Sequence, residues 1–319
     1  MKTRALKNLD NVIALLPSPP LSGPLKKLRP RRVMAEPVHE NPREELRRLT
    51  RLHKTWTHKA VAITNMSTDR KNRETGEEIP CLLPDDVRAQ MGAIVKGLQA
   101  EASALESGMK RALQQIPIYK LWLGEQFIAR GPVLSAYLVS EIDIYKAVKS
   151  SNLRRYCGLA VINGRLERRE GGPKATGGTG TFNSEIRMRL FQMFDGLRKA
   201  KNQPGAQGNK YLKIWTDAAH RVEQSERVFD RGVDKEGKWT GKIETNGKKV
   251  SARGFVDSYG WHKAADIFIE DLYVVWRAIE GLEVWPSYYA AKLGYEHGGK
   301  ISVNAPRILS IREALDIVR

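Results

Sequence analysis

Apolar residues recur at three-, four- and seven-residue steps along Leu46, Leu49, Leu52, Trp56, Ile63 and Met66, and again along Val87, Met91, Ile94, Leu98, Ala102, Leu105, Met109 and Leu113. Such spacing lines one side of an α-helix and does not fit the two-residue period of a strand. The two stretches predict two long helices over 43–116, separated by a polar break holding Gly76 and Pro80. They can close on each other as an antiparallel hairpin or join another subunit as a coiled-coil arm; core packing is the first role of the stripe and oligomerisation the second. Arg47, Arg48, Arg51, Lys54 and Lys59 fall between the apolar positions of the first stretch, so that helix should pack one face and present a basic one. Gly92, Gly97 and Gly108 weaken the second, each by about 1 kcal/mol relative to alanine.

Downstream, short helices are predicted between Pro117 and Leu159, and further helices at Ser184 to Lys199, Tyr211 to Glu226, Lys263 to Glu280 and Ala305 to Val318. Asn163-Gly164 and Asn246-Gly247 stand between alternating apolar residues (Val161, Leu166; Ile243, Val250), which is the short-range signature of a β-hairpin. No β-α-β alternation is present. The expected fold is therefore mainly α: a helical arm, then a largely helical domain over 117–319 carrying two small β-hairpins. Residues 1–42 hold seven of the fifteen prolines, and Met1 to Met34 carries eight Lys/Arg against Asp10 alone. That composition buries too little apolar surface to offset ordering entropy, so a disordered basic arm is expected there.

The charge balance narrows the partner. The chain has 54 Lys+Arg against 36 Asp+Glu, a formal +18. A surplus of this size implies a polyanion, because cations that neutralise phosphates release counterions whatever the sequence. The longest run of large apolar side chains, Leu272 to Trp276, is far below the ~20 residues of a membrane span. Cys81 and Cys157 make neither a disulfide framework nor a C-x-x-C half-site. The expected setting is cytoplasmic and nucleic-acid associated, with no membrane partner.

The most informative segment runs from Pro117 to Val133. It predicts helix, tight turn, helix: Gly131 is placed where a positive φ would be easy, and Pro132 suits a first helical position. A helix opened this way leaves backbone N–H groups beside the positive end of its dipole, a site for a phosphate oxygen, with Arg130 and Lys120 adding charge. A helix-hairpin-helix of this kind grips the sugar-phosphate backbone and reads little sequence.

The order Ile116-Pro117, Gly131-Pro132-Val133, Ala136, Glu141-Ile142-Asp143, then Leu153-Arg154-Arg155-Tyr156-Cys157-Gly158-Leu159, resembles the C-terminal domain of the insertion-sequence transposases guided by a bridging RNA. The likeness continues into a basic Gly-rich hairpin, into Asn183-Ser184-Glu185-Ile186-Arg187, and from Lys263 to Gly281-Leu282, so that about half of the chain is covered. It is similar to a transposase-like subgroup that has this domain without the usual RuvC-like partner. The resemblance implies DNA transposition or recombination; the expected partners are DNA, with a structured RNA as the alternative, and further copies of the chain in a homo-oligomer. The turn and the charge around it put the expected DNA contacts on Lys120, Arg130, Gly131, Pro132 and Val133, flanked by Lys146, Arg154, Arg155, Arg165, Arg168, Arg169 and Lys174, with Lys242, Lys248 and Lys249 of the second hairpin in addition. The alternative is a non-catalytic nucleic-acid-binding module or RNA-binding scaffold derived from such a transposase.

The sequence departs from the family at two places. No acidic RuvC-like strand precedes the arm, and where the family has a nucleophilic Ser-Ser-Gly this chain reads Val161 to Gly172 without serine. Ser150, Ser151 and Ser184 could serve only if the loop folds back, and helix capping by Asn183 or Ser184 is preferred; the catalytic residues and cofactor are therefore left unknown. No metal site is expected: His53 and His58 are five apart, and His220, His262 and His297 are assigned to surface or capping roles. Asp266, Glu270 and Asp271 are expected to form a solvated acidic helix face. Trp215, Tyr273, Trp276, Trp285, Tyr288 and Tyr289 are expected in the core rather than stacked on bases.

Overall fold

Asn41 starts the first helix by accepting a hydrogen bond from the Arg43 amide (3.1 Å), Pro42 takes the first helical position, and Glu44 and Glu45 face the positive end of the dipole. The computed structural model describes residues 41–71, 76–162, 165–166, 182–224, 242–245, 248–286 and 306–318. The expected N-terminal arm, apart from Asn41 and Pro42, lies outside them. Helix α1 spans Pro42–Ser67, and two short antiparallel strands, β1 (Arg70–Lys71) and β2 (Glu78–Ile79), lead to α2 (Asp85–Leu113). The two helices run antiparallel beside each other, one of the two arrangements that the spacing left open. His53 Nε2 meets the Glu106 carboxylate at 3.3 Å near the base, and Arg88 Nε donates to the Ser67 carbonyl (3.2 Å) near the tip. Burial is concentrated at the base, on Leu46, Leu49, Thr50 and His53 of α1 and Gly108, Met109, Ala112 and Leu113 of α2.

Helix α3 (Pro117–Leu121) is followed by two 3₁₀ turns, Leu123–Glu125 and Phe127–Ala129, and by α4 (Pro132–Glu141) and α5 (Ser150–Tyr156). Strands β3 (Val161–Ile162) and β4 (Arg165–Leu166) pair with Val161 opposite Leu166. Then come α6 (Ser184–Lys199) and α7 (Lys210–Gln224), the hairpin of β5 (Lys242–Thr245) and β6 (Lys248–Ser251) with Ile243 opposite Val250, and the long α8 (Ala252–Ile279). Strands β7 (Glu283–Val284) and β8 (Arg307–Ile308) pair before the last helix, α9 (Ile311–Val318). Both Asn-Gly hairpins have their strands paired as expected, and the described residues add two further strand pairs. Helix α8 begins at Ala252 rather than Lys263. Helix α9 begins at Ile311 rather than Ala305, because Ser310 and Glu313 form a reciprocal cap there (Glu313 amide to Ser310 Oγ 3.2 Å; Ser310 amide to Glu313 Oε2 2.8 Å).

The core is built around α8. Phe268, Leu272, Tyr273, Val275 and Trp276 are fully buried; Trp122 stacks on Phe268, and Phe194 and Tyr211 meet it edge-on (6.2 and 5.5 Å). Helix α7 presses so closely on α8 that a Cβ on Gly260 would lie 2.0 Å from Trp215 Cδ1. The buried Arg277 guanidinium donates to the carbonyls of Glu283, Ile144 and Ala147, tying the segment after α4 to α8. Leu46, Leu49, Met109 and Leu113 belong to the same buried cluster as Phe268, so the base of the hairpin and the segment after Pro117 share one core.

Part of the basic face expected on α1 is used inside the fold. Arg43 Nε donates to the Val139 carbonyl (3.0 Å) and Arg47 to the Ser140 carbonyl (3.2 and 3.0 Å), satisfying orphan acceptors at the end of α4. Lys54 pairs with Glu185 of α6. Arg48, Arg51 and Lys59 remain exposed or partly exposed.

Candidate nucleic-acid interface

The turn ahead of α4 is held from below. Ile118, Trp122, Leu123, Ile128 and Ala129 are buried, and Ser135 Oγ donates to the Ala129 carbonyl (2.6 Å), which locks the turn to the helix it opens. The first arm is shorter than a helix-hairpin-helix expectation: α3 ends after five residues, where Trp122 leaves helical geometry (φ −147°, ψ −57°), and 3₁₀ turns complete the approach. Gly131 caps α4 with φ −74° and ψ 123°, an extended conformation open to any residue, so the positive φ expected for it is not used. A Cβ at Gly131 would meet nothing within 4 Å, so that face of the turn is open. Ser135 is the first residue whose amide reaches back into the turn (to the Gly131 carbonyl, 3.3 Å), which leaves the Val133 and Leu134 amides ahead of the first intrahelical bond.

Arg130 stands at this opening. Its side chain is exposed, its guanidinium lies 4.7 Å from the Phe127 ring centroid, and no carboxylate pairs with it among the described residues. Stacking on an aromatic face leaves the edge N–H donors of an arginine free. The connection between α6 and α7 packs against the same pair: a Cβ on Gly205 would be 3.0 Å from the Phe127 ring and 3.1 Å from Arg130 Nη1. Lys201, Asn202, Gln203 and Gln207 of that connection are exposed. It is absent from the sequence expectation; the polar, glycine-containing run Lys201 to Lys210 marks a loop, but nothing in it says that it packs on Phe127.

The other expected contacts divide. Lys120 is exposed on α3, and Lys110 and Arg111, also exposed, close the last turn of α2 a few residues earlier. Pro132 and Val133 are partly buried in the first turn of α4. Lys146 is exposed and sits 3.5 Å from Asp143. Arg155 is exposed. Arg165 lies on β4, and Lys242, Lys248 and Lys249 lie on the β5–β6 hairpin. Arg168, Arg169, Lys174 and the Gly-rich run around them are outside the described residues.

Arg154 is a correction. Its side chain is 13% exposed and makes a bidentate contact with Asp266 (Nε–Oδ1 and Nη2–Oδ2, both 2.5 Å), so its charge is spent on α8. The expected solvated acidic face is corrected with it. Asp266 and Glu270 are each 7% exposed. Burial raises the Asp266 carboxyl above its ordinary range in spite of Arg154. Asp271 is pushed up to about 6 by burial, partly offset by Lys210 (2.7 Å) and by the Tyr211 hydroxyl (2.7 Å). The sequence hid this because acids one turn apart look alike whether water or a guanidinium faces them.

His262 differs from its expected surface role. It stacks on Trp261 (3.7 Å), burial holds its imidazole down at about 3 with Arg187 adding to the effect, and Nδ1 has no hydrogen-bond partner. Ser150 is 3% exposed at the start of α5, Ser151 is exposed, and Asn183 rather than Ser184 caps α6 through its side chain (Glu185 amide 3.0 Å, Ile186 amide 3.2 Å). Burial pushes the Cys157 thiol well up, which removes it as a nucleophile. Trp215, Tyr273 and Trp276 are buried as expected, and Tyr288, Tyr289 and His297 lie outside the described residues. Among the described residues no three His, Cys, Asp or Glu side chains are grouped to hold a metal ion, and no helix is long and apolar enough to cross a membrane.

One cleft of about 430 Å³ lies nearby, lined by Leu121, Trp122, Glu125, Lys210, Tyr211 and Val318. Lys210 is engaged there by Asp271 and by the Val318 carbonyl, so the cleft has no spare cation with which to hold an anionic cofactor. Comparison with protein-family models, with curated proteins and with solved structures gives no match.

Proposed function

We propose that this chain is a transposase-related, DNA-binding protein that grips the DNA backbone at the start of α4, acting in DNA transposition or recombination. The observation that carries the reading is Arg130: a guanidinium stacked on Phe127, unpaired with any described carboxylate, beside the free amides of Val133 and Leu134, in a chain of formal charge +18. A phosphate oxygen takes the amides at the positive end of the α4 dipole, and the Arg130 edge takes a second oxygen of the same group. Lys120, Lys146, Arg155 and Arg165, with Arg168, Arg169 and Lys174 of the intervening segment, supply sequence-independent attraction.

The binding role stands ahead of the catalytic one. Ser150 is buried, and neither the Ser151 nor the Ser184 hydroxyl is hydrogen-bonded to a base among the described residues. Strand chemistry on this reading belongs to another subunit or has been lost.

The test is fluorescence anisotropy on a nuclease-treated protein with a short labelled duplex. Arg130→Glu and Gly131→Val should each weaken binding about tenfold, the loss of roughly 1.4 kcal/mol, while both stay folded, with a stability cost of about 1 kcal/mol or less from the lost glycine cap and the lost stacking on Phe127. Wild-type affinity in both variants would refute the site. Competition with a structured RNA decides between DNA-gripping and an RNA-holding scaffold: displacement of the duplex by RNA at equal nucleotide concentration would favour the scaffold.

A further inference from the structure

The α1–α2 arm has an apolar side that the described residues leave partly uncovered. His53, Ala60 and Ser67 mark the line of α1 that faces α2, and Arg88, Val95 and Ala102 mark the line of α2 that faces α1; all are buried or partly buried. Leu52, Lys59 and Met66 each stand one residue before a seam position of α1, and Val87, Ile94 and Glu101 one residue before a seam position of α2. One residue is a rotation of 100°. Since the helices are antiparallel, the same rotation brings both rows to the same side of the arm. Leu52, Met66 and Ile94 are exposed there to 38%, 40% and 41%, with Trp56 and Ile63 partly exposed beside them. The opposite side carries His58, Asn65, Lys96, Gln99 and Ser103, with Val61 and the small Ala89 and Ala100 between them.

We propose that a second copy of this chain covers this side, with the two-fold axis running along the arm so that each α1 lies on the partner's α2 in a four-helix bundle. Charge chooses this occupant and this arrangement. Among the charged residues of these helices, Lys59 of α1 and Glu101 of α2 stand in the two rows of this side, whereas Lys54 lies on the opposite side with Glu185 and Glu106 is held by His53. Laying α1 on α2 sets opposite charges together, whereas a two-fold axis across the arm would set α1 on α1. Lys59 and Glu101 stand on this side, and neither is in an ion pair among the described residues. Ser67 lies level with Arg88 and His53 with Glu106, so Lys59 lies within about one helical turn of the level of the partner's Glu101. The side from Arg48 to Met66 measures about 28 Å by 20 Å, which over two copies is just above the roughly 1,000 Å² of a specific interface. Interfaces of this size belong to the weak, transient class, and dissociation in the micromolar range is the expected outcome.

Sedimentation velocity of the full chain, nuclease-treated to remove bridging nucleic acid, tests this over roughly 1 to 100 µM. The wild type should pass from monomer to dimer, and Ile94→Asp and Met66→Glu should each remain monomeric with unchanged helical circular dichroism, since both side chains are exposed. Lys59→Glu and Glu101→Lys should each raise the dissociation constant several-fold, and the combined variant should recover wild-type association. A wild type that stays monomeric, or a dimer that survives both apolar substitutions, overturns the proposal. Failure of the charge swap to recover association overturns the arrangement. None of these outcomes depends on Arg130, so duplex affinity measured on the same samples reports separately on the DNA-binding reading.

Discussion

Replacing Arg154 with Met separates a structural arginine from a DNA-contacting one. Arg154 and Asp266 are 13% and 10% exposed and joined by two contacts of 2.5 Å, so the substitution strands a carboxylate in the interior. Breaking a buried pair in this way costs about 3–5 kcal/mol. Asp266 has an escape, which is to take up a proton. From an ordinary value of 3.8, that escape costs about 4 kcal/mol at pH 7 and about 2 kcal/mol at pH 5. Arg154→Met should therefore lose about 3–4 kcal/mol of unfolding free energy at pH 7 and about half of that at pH 5. Adding Asp266→Leu removes the stranded charge and should return most of the loss. Urea unfolding at the two pH values measures all three proteins, with duplex affinity taken on the folded fraction. An Arg154→Met protein as stable as wild type but weakened tenfold on DNA would refute the assignment and restore Arg154 to the interface.

Two further outcomes follow from the packing around α8. Gly260→Ala puts a Cβ 2.0 Å from Trp215 Cδ1 and 2.9 Å from the Trp215 carbonyl, so α7 must move away; overpacking of about 1–3 kcal/mol should outweigh the roughly 1 kcal/mol that alanine gains in a helix, and thermal unfolding at lower temperature checks it. Asp271 has a folded carboxyl raised from 3.8 to about 6, so between those values the native state holds the extra proton and stability falls as pH rises through the window. Asp271→Asn keeps an acceptor for the Tyr211 hydroxyl and should flatten that fall, seen as a smaller change in melting temperature between pH 4 and pH 6 than in wild type.

Helix positions were the legible part of this protein. A three-to-four residue period reports which side of a helix is apolar without reference to anything distant, which is why α1, α2 and α6 stand where the spacing puts them, and why Asn-Gly marked both hairpins. Helix ends were less legible. Whether Ala252 to His262 joins α8, or Ser310 opens α9, depends on which neighbour buries the segment and which side chain caps it. The candidate interface was legible as a turn before Pro132 and illegible as a surface. Gly131 marked the turn for the wrong conformational reason, and the loop at Gly205 was invisible because it is brought to Phe127 and Arg130 by the path of α6 and α7.

Local pattern and composition were enough to establish a mainly helical chain with two long N-terminal helices and a cationic excess, because period, caps and net charge are properties of neighbouring residues and of their sum. Which charges are free to act was decided only in three dimensions. Arg43 and Arg47 end on the carbonyls of α4, Arg154 ends on Asp266, and Arg130 remains open on Phe127, although all four look alike in a basic sequence. The reason is desolvation: a guanidinium carried into the interior must find an acceptor there, and which acceptor it meets is set by helices distant along the chain.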